Sequence, residues 1–290
     1  MKRIPTGFLF LLPCLLAIAI FQVYPLFYSF WVTLHSDIIG RGTKFVGFQN
    51  YVSLVQDPNV WHSLSLTLYY DVLVIVMSIL GGLGVALVLN EPFFGRRLVR
   101  SLIIVPWAMS EIACGLVWGW ILNPTYGWLN GLLYSLGVIS EYVSWFGNGL
   151  QALTTVSIAG TWSVMPIPAL LFLSGLQSIS EELYDSAKID GANAFQSFWH
   201  ITRPLLTPTL LVALVISSMY ASWTFGLIWT LTGGGPGSYT TTLSWLGYSV
   251  AFRYSKPGYG TTIYYLGSAV MLILTFIYIR VLMRGRTVFL

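Results

Sequence analysis

The chain is predicted to be an all-α membrane protein: one domain over 1–290, with six transmembrane helices and a polar, helical loop between the fourth and the fifth. Three observations predict this. Only 8% of the 290 residues are charged and 56% are hydrophobic, whereas soluble domains carry roughly 25% charged residues. So little polar surface cannot cover a core in water, and lipid must be the solvent for much of the chain. Six apolar runs reach the roughly 20 residues that a helix needs to cross the hydrocarbon. The basic residues lie between those runs with a strong bias to one side. The net charge of +4 is therefore a topology signal, and no nucleic-acid partner is expected.

The runs are 8–34, 64–90, 101–122, 151–177, 209–231 and 262–283. The first follows Lys2 and Arg3. Its apolar character continues from Phe21 to Leu34, past an Ala17-Ile18-Ala19 that resembles a processing site, so it reads as an uncleaved helix long enough to tilt. An external loop, 35–63, is punctuated by Gly40, Gly42, Gly47 and Pro58 and carries balanced charges. The second run has Asp71 near its outer end and Gly81, Gly82 and Gly84 deeper in, where small residues let helix backbones approach. A short basic loop holds Arg96, Arg97 and Arg100.

The third run contains Gly115 and Gly119, a weak helix-packing signal, and Glu111. Glu111 lies about ten residues into the run, ~15 Å at the helical rise. An ionisable group at that depth either serves a pathway or hydrogen-bonds a neighbouring helix. The external loop 123–149 has helical pieces and Tyr126, Trp128, Tyr142 and Trp145, aromatics suited to the lipid–water boundary. The fourth run passes Trp162 and Pro166 into the polar loop. The fifth ends at Thr232-Gly233-Gly234-Gly235-Pro236, before an external loop with Arg253 and Lys256, and the sixth ends at Arg280, Arg284 and Arg286.

The polar loop, 178–208, concentrates Glu181, Glu182, Asp185, Lys188, Asp190 and Arg203, six of the 24 charged side chains. Ser178 with Glu181 fits a capping box that can start a helix, and Ser180 is a rival cap. The acids sit early, where the positive helix end favours them. Leu183, Tyr184 and Ala187 make a narrow apolar stripe. Gly191 is a natural left-handed stop. Asn193 starts a second short helix with Phe195, Phe198 and Trp199 on one face; Pro204 is predicted to end it and Pro208 to open the next long helix.

Orientation follows from the Lys and Arg tally. Lys2, Arg3, Arg96, Arg97, Arg100, Lys188, Arg203, Arg280, Arg284 and Arg286 share one side; Arg41, Lys44, Arg253 and Lys256 share the other. Both termini and the polar loop are then cytoplasmic. No phosphate-binding G-x-x-x-x-G-K-[ST] motif, H-E-x-x-H or G-x-S-x-G occurs, so no catalytic residue is expected. Cys14, Cys114, His35, His62 and His200 are scattered without ligand spacing, so neither a disulfide nor a metal is expected.

In the polar loop, the run from Glu182 through Leu183, Asp185, Ser186, Ala187, Asp190 and Gly191 to Ala192, followed by Phe198, Ile201, Pro204 and Pro208, resembles the cytoplasmic "EAA" loop of binding-protein-dependent ABC importer permeases, most of all the maltose-type sugar-permease family. Agreement extends along nearly the whole chain: Leu12-Pro13 with Tyr24-Pro25, Gly47 to Tyr51, Pro124 and Gly127 with Leu129-Asn130, Thr232 to Pro236, and Ala251-Phe252. The family's Glu-Ala-Ala reads Asp185-Ser186-Ala187 here, and Arg203 stands where an apolar residue is usual.

The resemblance implies an importer permease of the bacterial or archaeal cytoplasmic membrane, moving a sugar or a glycerol-phosphate compound inward. It implies that the loop docks on a cytoplasmic ATPase through Glu181, Glu182, Leu183, Asp185, Ser186, Ala187, Asp190, Gly191, Ala192 and Pro204. It further implies a second permease subunit, two ATPase subunits that hold ATP and magnesium in place of any cofactor in this chain, and an extracytoplasmic solute-binding protein. Glu111, Tyr220 and Trp223 are the candidates for the translocation path, because aromatic faces stack on sugar rings, although aromatics this dense also pack. The rivals are weaker. An ion-coupled secondary transporter needs embedded coupling carboxylates and commonly internal repeats, and only Asp71 and Glu111 are available. A membrane enzyme would need a catalytic constellation.

Overall fold

The structure is a computed structural model, and it describes residues 6–38 and 42–283. Lys2, Arg3, Arg41, Arg284 and Arg286, used in the charge tally, lie outside the described residues.

Helix α1 (Thr6–Ile18), a π turn (Ala19–Val23) and α2 (Tyr24–Thr33) run on as one apolar rod. Strands β1 (His35–Ile38) and β2 (Gly42–Phe45) then pair antiparallel, His35 opposite Phe45. This hairpin was not expected in the first external loop. Asn50 pins its base, donating to the Thr33 and His35 carbonyls at 2.7 and 3.0 Å. Asn50 belongs to α3 (Gln49–Gln56), and α4 (Pro58–Asn90) follows as an unbroken helix of 33 residues. Next come α5 (Arg96–Ile103), α6 (Val105–Ala108), α7 (Glu111–Ile121), α8 (Trp128–Ser135), α9 (Gly149–Val164) and α10 (Pro166–Gln177). The polar loop forms α11 (Glu181–Ile189) and α12 (Ala194–Ser197). A π turn (Phe198–Thr202) leads into α13 (Arg203–Ser222), followed by α14 (Gly226–Leu231), α15 (Leu243–Tyr248), a third π turn (Ser249–Arg253) and α16 (Pro257–Met283).

Among the described residues, four stretches are long and apolar enough to cross a bilayer unaided: Phe10–Thr33, Pro58–Asn90, Ala194–Ser222 and Pro257–Leu282. Two of the expected spans are bent. The run 101–122 is not one straight helix, because Arg96–Ala108 meets Glu111–Ile121 at 103°. Met109 and Ser110 are extended there, and the Ser110 hydroxyl accepts from Ala113 N at 3.2 Å, which restarts the helix. The run 151–177 bends by 44° between Gly149–Val164 and Pro166–Gln177, where Pro166 and Pro168 lack the amide protons a straight helix would use. The fifth run is displaced as well. Its helix begins at Ala194 and breaks after Ser222, so 209–231 holds the end of one helix and the whole of another.

The described residues form two compact units, one reaching to Trp61 and including Leu246–Leu266, the other His62–Trp245 with residues from Gly267 on. In the second unit α9 is the core helix, with Leu153, Val156 and Ala159 fully buried. Close helix contacts fall on small residues. A side chain at Gly82 would meet the Ala169 backbone at 2.9 Å, and one at Gly115 would meet Thr230 at 2.6 Å. Gly119 has ordinary clearance, 3.8 Å from Leu231, and Gly84 faces open space. Asn130 organises the loop after α7. It is fully buried, donates to Val143 O at 2.9 Å, and accepts from Val143 N and Trp145 Nε1 at 3.2 and 3.1 Å. Phe10–Thr33, by contrast, buries none of its apolar window within the chain, a surface that only lipid or another polypeptide can cover.

Candidate functional site

The polar loop folds as a helical hairpin in which α11 is capped at both ends and α12 at its start. At its start the Ser180 hydroxyl accepts from Glu182 N at 3.3 Å. Ser178 instead donates to Gly175 O at 2.7 Å and finishes α10, so the cap at Ser178 is corrected to Ser180. Glu181 and Glu182 fill the first turn and Lys188 the last, each at the helix end that favours its charge. The Lys188–Asp185 pair, 2.9 Å apart, is exposed on both sides and adds little stability. The stop is a complete Schellman motif: Ala192 N donates to Ala187 O at 2.9 Å and Gly191 N to Lys188 O at 3.0 Å, with Gly191 at φ +80°. Asn193 and Gln196 then form a reciprocal capping box, both bonds 2.9 Å.

Helix α11 is tied to the π turn that follows α12 by the Tyr184 and Thr202 hydroxyls, 2.8 Å apart. Phe195, Phe198 and Trp199 form an edge-to-face cluster, and Arg203 lies 4.8 Å over the Trp199 ring, which accounts for a cation at this position. No residue of α11 is buried; Ile189 is 87% exposed and Phe195 71%. The hairpin thus presents apolar tips that nothing among the described residues covers.

Pro204 does not end the second helix, and Pro208 does not open the next. The π turn shifts the hydrogen bonding so that Arg203 N reaches Phe198 O, and Pro204 falls in the first turn of α13. Proline has no N–H to donate in either register, and its ring crowds the carbonyl four residues back in a regular α-helix; the π turn falls where that crowding would occur. Pro208 sits inside α13. The consequence is a single rod, Ala194–Ser222, of 29 residues, rooted in the hairpin.

The hairpin's other root is held by residues that the sequence reading passed over. Gln177, the last residue of α10, lies between Arg96 and Arg100. In the amide orientation that satisfies both, its oxygen accepts from their Nη2 atoms at 3.0 and 3.1 Å. The four-residue spacing of these arginines on one helix face was the available signal.

The far end of the rod meets both acidic residues of the apolar runs. Asp71 is 3% exposed and accepts from the Ser222 hydroxyl at 2.5 Å. Glu111 opens α7, and its carboxylate accepts from Thr224 Oγ1 at 3.0 Å, Phe225 N at 3.0 Å and Gly226 N at 2.6 Å. It therefore satisfies the backbone where α14 begins. Of the expected path residues, Glu111 is brought to the turn that follows Trp223. Tyr220 lies one helical turn earlier, 46% exposed. In the first unit, Ser36, Asn50, Ser53, Asp57, Lys256, Gly258 and Tyr259 line a polar cleft of about 420 Å³.

Residues 78–287 match the family described as "Binding-protein-dependent transport system inner membrane component". The chain belongs to this permease family. It is 36% identical over 276 residues to the trehalose/maltose transport system permease protein of Thermococcus litoralis, covering 95% of this chain and 92% of that one. It is 32% identical to the sulfoquinovosyl glycerol transport system permease protein of Agrobacterium fabrum, over 94% and 89% of the two chains. It is also 32% identical to the sn-glycerol-3-phosphate transport system permease protein of that organism, over 84% and 83%. A bacterial ABC transporter involved in the import of the acidic polysaccharide alginate contains a chain that superposes with a TM-score of 0.80 at 23% identity, over 99% and 97% of the chains. The alginate transporter in complex with a pentasaccharide-bound periplasmic protein gives 0.82 at 22%, over 99% and 96%. At these identities the likeness establishes the fold. The permease is thus an inner-membrane transport component of an ABC importer, not a catalyst.

Proposed function

We propose that this permease moves a sugar or related polar solute into the cytoplasm, driven by ATP that two separate ATPase subunits bind with magnesium and hydrolyse. Each bent pair of helices is one crossing, which gives six, with both termini and the loop 178–208 on the cytoplasmic side. The hairpin, with Glu181, Glu182, Leu183, Asp185, Ser186, Ala187, Asp190, Gly191, Ala192 and Pro204, seats in a groove of an ATPase subunit. A second permease subunit, of a different sequence, completes the path. A solute-binding protein delivers cargo to the opposite face of the membrane. The observation that carries this reading is the exposed, capped hairpin continuous with a bilayer-length rod, within the part of the chain that matches the family. The glycerol-phosphate relative makes glycerol phosphates the second substrate class.

The test is uptake into reconstituted vesicles holding the permease, its partner permease and the binding protein, with ATP inside. Uptake is expected only when the ATPase subunit is included. Uptake that persists without it and follows an imposed proton gradient would sink the reading. A ligand screen on the binding protein then separates sugar from glycerol phosphate.

A further inference from the structure

The chain's two acidic residues within apolar runs both hold the end of one rod. Asp71 comes from α4 and takes Ser222, the last residue of α13. Glu111 comes from the start of α7 and takes Thr224, Phe225 and Gly226, the turn beyond it. Within the five residues 222–226, four groups donate to these two carboxyls. The fit at the second grip is close, since a Cβ on Gly226 would lie 2.9 Å from that of Glu111. The other end of the rod is Ala194, the first helical residue after the hairpin turn. A displacement imposed on the hairpin can reach this junction because the helix is continuous from Ala194 to Ser222.

We propose that Glu111 and Asp71 are positioning residues of the transport cycle: they fasten the far end of the Ala194–Ser222 rod to α7 and α4, so that movement at the ATPase-docking hairpin displaces those helices as well as the rod. Neither carboxyl needs to touch solute. This rests on the importer reading and deepens it by naming where force leaves the rod. A burial penalty explains why such acids must be paired. It does not explain why both converge on the one break in the one rod that carries the hairpin.

The experiment compares solute imported per ATP hydrolysed in reconstituted wild-type transporter and in Glu111→Gln and Asp71→Asn. Both are isosteric changes that remove the charge and leave a side-chain carbonyl. Wild-type uptake is measured first, so that failure of the importer reading appears there and nowhere else. Each variant is expected to retain at least half the wild-type ATP hydrolysis while its solute-to-ATP ratio falls about tenfold, with melting temperature lowered by only a few degrees. Combining Glu111→Gln with Ile189→Ala at the hairpin tip is expected to be less damaging than the product of the single losses, the mark of two sites acting through one element. If either charge-removed variant does not assemble, Thr224→Val and Ser222→Ala remove the donors instead and are read by the same ratio. A merely structural role lowers uptake and hydrolysis in proportion. An unchanged ratio, or a fully multiplicative double variant, overturns the proposal.

Discussion

Gly191 is the residue on which the hairpin's geometry turns. Its φ of +80° is one that a residue with a Cβ adopts at a cost of roughly 1–2 kcal/mol, and nothing lies within 4 Å of where that Cβ would be. The demand is thus conformational and not a matter of room. Gly191→Val, β-branched and least tolerant of this region, is expected to unseat α12 from α11 while leaving the buried helices and the melting temperature unchanged. ATP-driven uptake should be lost. Gly191→Asn, which tolerates the left-handed region, should keep most of it. Uptake and melting curves for the two variants check this; full uptake by the valine variant would count against the hairpin as the docking element.

Among the elements, the hairpin was largely legible and the long helices less so. Capping is local chemistry, so Asn193, Gly191 and the early acids announced two short helices. Asn193→Ala removes the capping box at about 1 kcal/mol, and amide exchange over 194–197 should quicken about fivefold with α11 unaffected. An equal change in both helices would show that the caps do not act independently. Where the reading failed, the deciding partner was distant in sequence. The break after Ser222 is stabilised by Glu111, more than a hundred residues earlier, and no window of apolar periodicity contains that information. Pro204 and Pro208 misled for another reason. A proline stops a helix in the α register, but the π turn at Phe198–Thr202 supplies a register that admits one. The bends at Met109–Ser110 and Met165 were likewise invisible, because an apolar run has the required length whether it is straight or broken. The small residues at Gly82 and Gly115 did mark helix contacts, since close approach depends only on the absence of a side chain.

For the whole molecule, the decisive quantity is the parity of crossings, and it hangs on the 103° bend between Arg96–Ala108 and Glu111–Ile121. If that pair crosses the bilayer once, Arg96, Arg97 and Arg100 lie on the face of Lys188 and Arg203, and the charge bias holds. If it dips in and returns, the count becomes odd, the residues after it change face, and Arg96, Arg97 and Arg100 stand opposite Lys188 and Arg203. Electrostatics favours one crossing, because basic residues accumulate on the cytoplasmic side of short loops. Impermeant thiol labelling decides it. In a background lacking Cys14 and Cys114, single cysteines go in at Phe94, fully exposed before the bend, and at Leu136, 67% exposed after it. Ile189 in the hairpin and Tyr254, just after the third π turn, are labelled alongside them, 87% and 67% exposed. In intact cells Leu136→Cys and Tyr254→Cys should react, and Phe94→Cys and Ile189→Cys only after permeabilisation. Labelling of Phe94→Cys and Leu136→Cys from the same face would make the pair re-entrant. Labelling of Ile189→Cys from outside would detach the hairpin from any cytoplasmic ATPase, and with it the proposed route of force into the rod.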